Sequence, residues 1–304
     1  MKPVWYVILN PTSGNGKGLK KLAELKELFL KYDLPVKIAI SKFAKHEKKL
    51  SRDAIKKGFH KIISVGGDGT LHHIINGVMS QTKVKSSNIS IGVIPLGTGN
   101  DWVKTYKISS NIEMAIKIIK AGEYIYQDIG KIKISGYKDH YYFNNIAGIG
   151  FDGYVVNKIN NLKQIGAMAY LIGGILGFLN YKQSYLSIQH DDFEKSSKIF
   201  MMNVGLCKYS GGGLRLTDYD NHKEGFFDVT IIEQIKLIKV LLNIKKLFNG
   251  NLRKLKEVTF FNNKVIIIKN EGTHIPYIQA DGELIGQGNT EFTLVNKAIK
   301  FIVG

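Results

Sequence analysis

Three glycine-rich segments carry the residues best suited to binding phosphate. Residues 66–70 read Gly-Gly-Asp-Gly-Thr, follow the apolar stretch 61–65 and precede a stretch with helical spacing. Glycines let backbone amides approach a ligand closely, and the first turn of a helix presents N–H groups and a positive dipole end. Asp68 could face a cation held by the phosphates. The pattern predicts a phosphate site; the alternative is an ordinary strand–helix turn capped by Asp68 or Thr70.

Two further segments have the same character. Residues 95–101 read Pro-Leu-Gly-Thr-Gly-Asn-Asp, and residues 10–18 read Asn-Pro-Thr-Ser-Gly-Asn-Gly-Lys-Gly. Each follows a strand-like stretch, so in a parallel sheet all three would lie at the edge where ligands bind. Residues 14–18 have the spacing GxGxG rather than GxGxxG. Lys17 is followed by Gly18 and not by Ser or Thr, so the P-loop motif is also missing.

The elements that position these segments divide the chain in two. Apolar runs at 4–9, 36–40, 61–65 and 89–94 alternate with helical patterns at 19–32, 47–57, 70–79 and 112–120. This alternation predicts a mainly parallel sheet with helices on both faces. We place this domain at 1–128, with 296–304 as a candidate completion.

The remainder, 129–295, predicts a mainly antiparallel β domain because short strands alternate with turn residues. Helical patterns at about 160–181 and 235–249 interrupt it. The predicted strands are 130–134, 141–147, 185–189, 199–206, 227–233, 258–261, 265–269 and 277–280, followed by 291–295 and 299–303, which could close either domain.

The composition narrows the classes of partner. The chain has 304 residues, 43 Lys and Arg against 25 Asp and Glu, a net charge of +18 and a single cysteine. The charge favours phosphates, nucleic acid or an acidic membrane, and one cysteine excludes a disulfide framework. Cys207 is expected to be a buried apolar residue rather than a nucleophile.

No signal-peptide pattern is evident, and the apolar stretch 165–181 is short for a membrane span. We therefore expect a cytoplasmic protein with peripheral membrane contact.

Taken together, the motifs resemble the diacylglycerol kinase catalytic family, in its bacterial soluble lipid kinase branch. Sphingosine and ceramide kinases are relatives. The motifs lie in family order over almost the whole chain. They are Asn10-Pro11 with Ser13-Gly14, residues 66–70, residues 95–101, residues 144–152 (NNIAGIGFD), Gly211-Gly212-Gly213, residues 224–229 (EGFFDV) and Asp281-Gly282-Glu283.

The resemblance implies an α/β fold: a nucleotide-binding domain like that of NAD kinases and phosphofructokinases, a C-terminal β-sandwich domain, and an active site in the cleft between them. It implies ATP and Mg²⁺. Asp68 would help to hold the catalytic magnesium through water, and Asp281 would be the general base with Glu283 beside it. A structural magnesium would lie near Asn221, Glu224 and Phe226. The residues that would contact ATP are Asn10, Pro11, Thr12, Ser13, Gly14, Ser41, Gly66, Gly67, Asp68, Gly69, Thr70, Leu71, His72 and Thr98.

The chain departs from the family pattern at four places. Ser41 replaces the usual Thr and keeps the hydroxyl. Lys223-Glu224-Gly225 stands where Asp-Asp-Gly is common, which adds a positive charge beside the expected structural magnesium. His72-His73 replaces Asn-Glu, and Lys45-His46-Glu47 replaces Gly-His-Ala.

The favoured hypothesis is an ATP-dependent lipid kinase that phosphorylates a lipid such as diacylglycerol. A kinase of a soluble metabolite, similar to NAD kinase, is an alternative because such enzymes share the 66–70 motif. A non-catalytic nucleotide- or lipid-binding regulator is the other. Nucleic acid is not an expected partner because no helix-turn-helix, zinc-finger or RNP signature is present. A homodimer is left open.

Residues 236–256 suggest contact with an anionic membrane. Leu237, Leu241, Ile244 and Phe248 recur at helical spacing, with Lys236, Lys239, Lys245 and Lys246 between them. A basic amphipathic helix of this kind can lie on an anionic bilayer. The alternative is a surface helix that packs its apolar stripe on the core.

Overall fold

The computed structural model describes residues 4–159, 177, 181–191, 193–217 and 224–304. The chain forms two compact units. The first comprises residues 1–129 and 296–304, and the second comprises residues 130–295.

The first unit is built on a parallel sheet. Its strands are β1 (Trp5–Leu9), β2 (Val36–Ile40), β3 (Lys61–Gly66) and β4 (Ser90–Pro95). They are arranged in the order β2-β1-β3-β4. A strand near the C-terminus, Thr290–Ile302, runs parallel to β4 at its end, with Lys300 opposite Ser90 and Phe301 opposite Ile91.

Six helices accompany this sheet: α1 (Ser13–Lys20), α2 (Leu22–Lys31), α3 (His46–Lys56), α4 (Asp68–Met79), α5 (Asp101–Thr105) and α6 (Ile112–Ala121). Every residue of β1 and β4 is buried, as expected for parallel strands covered on both faces. Phe29 of α2 and Ile116 of α6 belong to the same apolar core as Val7 of β1 and Ile63 of β3.

The second unit consists mainly of antiparallel strands. They are β5 (Tyr124–Ile134), β6 (Tyr141–Phe143), β7 (Ile146–Gly150), β8 (Ser184–His190), β9 (Phe193–Gly205), β10 (Phe227–Glu233), β11 (Val258–Asn263), β12 (Val265–Asn270), β13 (Tyr277–Ala280), β14 (Glu283–Gln287) and β15 (Thr290–Ile302). The main order is β14-β13-β7-β9-β8-β12-β15. In addition, β10 pairs with β9 and β11, and β5 pairs with β6 and β15. The helices are α7 (Phe151–Ile159), α8 (Leu237–Leu242) and α9 (Ile244–Asn249).

Aromatic rings fill the centre of this unit. Phe143 stacks against Phe227 at 5.7 Å between ring centroids and meets Phe292 edge-on at 6.3 Å. A Cβ on Gly130 would lie 2.0 Å from Cε1 of Phe143, so this position must lack a side chain for the ring to fit. The predicted α/β class, with a parallel sheet followed by a sandwich-like β domain, is confirmed.

Several element boundaries differ from the prediction. The expected strands 291–295 and 299–303 form the single strand β15, which continues through Lys297 because the Lys297 amide donates to Oδ1 of Asp128 at 2.7 Å. The expected helix at 235–249 is two shorter helices. The expected strand at 141–147 is broken after Phe143. The helices α5 and α7 and the strand β14 were not predicted from the sequence.

The predicted helical stretch 160–181 lies outside the described residues, apart from Gly177 and Tyr181. In the portion of the chain that the structure describes, no helix has both the length and the apolar character needed to cross a bilayer.

Two neighbouring polar side chains are fully buried in the second unit. Asn203 of β9 lies opposite Thr230 of β10. Among the residues that the structure describes, the hydroxyl of Thr230 and both polar atoms of the Asn203 side-chain amide have no hydrogen-bond partner. A buried polar group left unbonded costs about 1–3 kcal/mol. This pair therefore lowers the stability of the unit.

We expect Thr230→Val to raise the free energy of unfolding by about 1 kcal/mol, because it removes a buried hydroxyl that makes no bond. Ser187→Ala is the matched control. The Ser187 hydroxyl is equally buried but donates to Glu194 at 2.9 Å, so its loss should lower stability by about 1 kcal/mol. Urea unfolding measures both. A clear loss of stability in Thr230→Val would show that the hydroxyl has a partner in solution.

Candidate active site

The three glycine-rich turns of the first unit meet at the carboxyl edge of its sheet. Asn10 follows β1, and its Nδ2 donates to Oγ1 of Thr70 in α4 at 3.0 Å. The Oδ1 of Asn10 accepts the amide and the hydroxyl of Thr12 at 3.1 and 2.9 Å. Ser13 Oγ lies 3.5 Å from the Thr70 hydroxyl. Asn10 therefore ties the first turn to the start of α4.

Glycine is required because the turns touch through their backbones. A Cβ on Gly97 would lie 2.5 Å from Cα of Gly67, and a Cβ on Gly14 would lie 2.1 Å from the carbonyl oxygen of Leu96. Gly14 also has a φ of 60°, in the left-handed region that glycine adopts readily. A Cβ on Gly66 would collide with the Thr70 hydroxyl. No other residue type allows this packing.

These turns have the chemistry of a phosphate site. The helix α4 begins after Gly67, which is extended and, as a glycine, offers no side chain of its own to cap the N-terminus. The first amides of a helix have no intrahelical acceptor. A Cβ on Gly16 would meet no atom within 4 Å, so there is open space beside the first turn. Backbone donors at a helix N-terminus suit an anion such as a nucleotide phosphate.

Asp68 joins the second turn to the third. Its Oδ2 accepts the Asp101 amide at 3.1 Å, and its Oδ1 accepts the Trp102 amide at 3.4 Å. Asp68 thus caps α5, a helix that the sequence analysis did not predict. The buried carboxylate of Asp101 in turn receives the Lys104 ammonium at 2.9 Å. Magnesium usually keeps several of its waters and needs one or two carboxylates, so the residues present fit a cation contacted by Asp68 through water.

Four other residues predicted to contact ATP divide by position: two lie in turns, Ser41 and Thr98, and two lie in α4, Leu71 and His72. Ser41 follows β2, and its amide donates to the Leu9 carbonyl at 2.9 Å, which places its turn next to the end of β1. Thr98 is exposed in the third turn. Leu71 and His72 are buried in α4. The His72 ring contacts Nδ2 of Asn76 at 3.3 Å and therefore packs inside the unit.

One residue near this edge was not on the predicted list. Glu47, in the first turn of α3, is buried, and no described residue forms a hydrogen bond with its Oε2. The only signal in the sequence was its place in Lys45-His46-Glu47, where the resemblance implies a small residue.

In the second unit, Asp281 is held by three consecutive amides. Its Oδ2 accepts the Asn144 amide at 3.2 Å, and its Oδ1 accepts the amides of Asn145 and Ile146 at 3.0 and 3.2 Å. The Asp281 amide returns a bond to the Ile146 carbonyl at 2.9 Å. The strand between Phe143 and Ile146 is interrupted because these amides point to a carboxylate. Each carboxylate oxygen has two lone pairs, so backbone donors do not by themselves prevent Asp281 from accepting a proton.

A buried network supports the turn that carries Asp281. Gln279 of β13 donates through Nε2 to Oδ2 of Asp152 at 2.5 Å and accepts the Gly282 amide at 2.8 Å. Gln279 and Asp152 are both buried. A Cβ on Gly148 would lie 2.1 Å from Oδ2 of Asp152, so glycine there makes room for the carboxylate. Gln279 was not predicted as a site residue; Asp152 and Gly148 lie in the quoted 144–152 motif.

The expected structural magnesium site is described only in part. Asn221 lies outside the described residues, and Glu224 is exposed. The Lys264 ammonium lies 4.7 Å from the centre of the Phe226 ring. Within the described ranges, no three His, Cys, Asp or Glu side chains cluster in a way that could hold a metal. The resemblance implies that two of the three expected ligands would act through main-chain carbonyls, which a search for side-chain clusters does not test.

Comparison with known proteins identifies both parts of the chain. Residues 4–132 match the family described as "Diacylglycerol kinase catalytic domain". Residues 145–303 match the family described as "YegS C-terminal NAD kinase beta sandwich-like domain".

Similar proteins span nearly the whole chain. A Bacillus subtilis protein named "Putative lipid kinase YtlR" is 26% identical over 309 residues, covering 96% of each chain. A diacylglycerol kinase from Mycobacterium tuberculosis is 24% identical over 302 residues, covering 97% of this chain and 93% of that one. A solved structure of a diacylglycerol kinase from Bacillus anthracis superposes with a TM-score of 0.72 at 19% identity, covering 100% of this chain and 97% of that one. This similarity shows a shared fold.

We expect Gln279→Met to lower the free energy of unfolding by about 2 kcal/mol, because it removes the hydrogen bonds that Gln279 makes to the buried Asp152 carboxylate and to the Gly282 amide. Amide hydrogen exchange at Asn145 and Ile146 should also accelerate, since the turn that holds Asp281 loses its support. Gln287→Met is the matched control: its side-chain amide donates to the Ile275 carbonyl in an exposed position. Unchanged exchange at both amides in Gln279→Met would contradict a positioning role.

Proposed function

The chain belongs to the diacylglycerol kinase catalytic family, and from that membership we propose that it is an ATP-dependent lipid kinase. It would transfer the γ-phosphate of ATP to the hydroxyl of a lipid such as diacylglycerol. The observation that carries this proposal is the meeting of three glycine turns at the start of α4, where the N-cap residue is Gly67. That arrangement supplies backbone donors for phosphate and leaves Asp68 beside them.

Phosphoryl transfer depends on positioning and on neutralisation of charge more than on covalent help from the protein. In this proposal the amides at the start of α4 bind phosphate oxygens. Asn10 and Ser13 hold the neighbouring turn in place through Thr70. Because these contacts are made by backbone groups fixed in the sheet, little reorganisation is needed when the nucleotide binds.

Asp281 is proposed as the general base. The lipid hydroxyl oxygen attacks the γ-phosphorus, the bond from that phosphorus to the bridging oxygen of ADP breaks, and the hydroxyl proton passes to the Asp281 carboxylate. The three amides from 144–146 fix the direction in which that carboxylate faces. Glu283, two residues further on, starts β14.

A magnesium ion at this site would supply neutralisation of the negative charge on the phosphates. Asp68 is the residue proposed to hold it, through water. The proposal for Glu224 and Phe226 as ligands of a structural magnesium rests on the resemblance alone.

The proposed substrate is a lipid, so the protein must reach a membrane. Among the side chains of α8 and α9 that the structure describes, Ile238 is 62% exposed, Leu242 is 77% exposed and Phe248 is 46% exposed. The side chains of Leu237, Leu241 and Ile244, which were predicted to form the apolar stripe, lie outside that description. Lys236 and Lys245 are exposed on the same segment. Exposed apolar groups among lysines suit the headgroup region of an anionic bilayer. We propose this segment as the membrane contact.

We expect Asp281→Asn to reduce kcat by about 10²–10⁴-fold while ATP binding is retained, because a positioned base contributes about that factor. The assay is transfer of radiolabelled phosphate from ATP with magnesium to a panel of lipids in mixed micelles, with NAD and other soluble alcohols in parallel. Asp139→Asn, an exposed acid of the same unit, is the control and should leave turnover unchanged.

The pattern of labelling separates the hypotheses. Labelled lipid that disappears in Asp281→Asn supports the lipid kinase. Labelling of NAD or another soluble alcohol in place of lipid would favour a soluble-metabolite kinase. ATP binding without transfer to any acceptor would favour a regulator, and normal turnover in Asp281→Asn would remove Asp281 from its role.

We expect the triple variant Ile238→Ser, Leu242→Ser, Phe248→Ser to lose at least about tenfold in affinity for phosphatidylglycerol vesicles, because buried apolar area drives interfacial binding. Sedimentation with vesicles measures it. Leu30→Ser, at a position that is 81% exposed in α2, is the control and should bind like the wild type. Equal loss in both variants would contradict a specific contact through α8 and α9.

A further inference from the structure

A second cavity with a cationic lining lies in the first unit, away from the glycine turns. Its volume is about 450 Å³. Trp5 begins β1, Lys61 begins β3 and Tyr124 begins β5. These residues line the cavity together with Lys120, in the last turn of α6, and Lys300 of β15. Three lysines thus reach one cavity from three separate elements, which a solvated helix face does not produce.

These lysines have no carboxylate partner among the described residues. The Lys61 ammonium lies 5.3 Å from the centre of the Trp5 ring, and the Lys300 ammonium lies 4.3 Å from that of Tyr124. The Lys120 ammonium donates to the main-chain carbonyl of Asp33 at 3.2 Å. Aromatic faces and a carbonyl orient the ammonium groups without neutralising them.

The remaining charges around the cavity do not cancel this excess. Asp33 contributes the one acidic side chain of the lining. The helix α6 ends at Ala121 with Gly122 as its C-cap, and the carboxyl end of a helix is equivalent to about half a negative charge. Against these stand three full positive charges, so the potential in the cavity is positive.

The floor of the cavity is apolar and ordered. Trp5, Ile119 and Ile302 line it and are almost fully buried. A pocket with an apolar floor and a few convergent charged groups is the usual form of a small-molecule site. The ligand that fits carries a compact, multiply charged anion on a small carbon skeleton.

We propose that this cavity binds a phosphate monoester, carried either by a soluble metabolite or by a lipid headgroup. A monoester bears close to two negative charges at neutral pH and presents three acceptor oxygens, which match three ammonium donors. The site is separate from the glycine turns because it lies at the opposite edge of the same sheet. The six residues of β3 span roughly 20 Å between the two edges.

The test compares two triple variants of equal net charge. Lys61→Gln, Lys120→Gln, Lys300→Gln removes the cationic lining; Lys26→Gln, Lys56→Gln, Lys85→Gln removes three exposed lysines elsewhere in the unit. The soluble probe is glycerol 3-phosphate, and its binding to the full chain is measured by titration calorimetry at low salt. The lipid probe is phosphatidylcholine vesicles containing phosphatidate, compared with vesicles containing phosphatidylglycerol, a diester, at equal surface charge.

We expect the cavity variant to weaken monoester binding by at least about tenfold, since hydrogen bonds to charged groups are strong, and the control to bind like the wild type. Loss for glycerol 3-phosphate identifies a soluble ligand; loss for phosphatidate vesicles alone identifies a headgroup. Excess ATP should not displace either probe. Equal binding by both triple variants, or equal loss in both, would overturn the proposal. The readout is binding, so kinase activity does not enter it.

Discussion

The close approach of two backbones, at Gly67 and Gly97, is the constraint on which the first unit's site depends. The strands β3 and β4 are adjacent and in register, with Gly66 opposite Pro95. The turns that follow these two strands must therefore lie at the same level of the sheet, and a side chain on Gly67 or Gly97 would force the two turns apart. Because the turns stay in contact, Asp68 reaches the amides that begin α5, and Asn10 reaches Thr70. A site assembled mainly from backbone groups follows from that contact.

The second unit holds Asp281, the proposed general base, by the reverse arrangement, in which a side chain determines the path of the backbone. There a side chain, Asp281, organises the backbone, because three consecutive amides turn toward one carboxylate instead of continuing a strand. The cost of interrupting the sheet is offset by charge-assisted hydrogen bonds, which are stronger than neutral ones. Gln279 and Asp152 then hold the turn from beneath. Residues far apart in sequence thus form one rigid support around a single acid.

The buried parallel strands and the glycine turns of the first unit could be predicted from the amino-acid sequence alone. The runs 4–9 and 89–94 are apolar without alternation, which predicts buried parallel strands, and the glycine turns that follow predict phosphate chemistry at one edge. Prediction failed where a distant partner decides the local structure. The strand predicted at 141–147 stops at Phe143 because its next amides bond to Asp281, more than a hundred residues later. The two strands predicted near the C-terminus are one, because Asp128 accepts the amide of Lys297.

The sequence by itself determined the fold class, the family and the residue types of the site, because hydrophobic periodicity and glycine motifs are local properties of the chain. It did not determine what holds those residues. The capping of α5 by Asp68, the support of Asp281 by Gln279 and the burial of Glu47 were decided by tertiary structure. So was the convergence of Lys61, Lys120 and Lys300, since each comes from a different segment and no pattern links them in sequence. Hydrogen bonds and charge act through space, and only the packed sheet brings these groups within reach of one another.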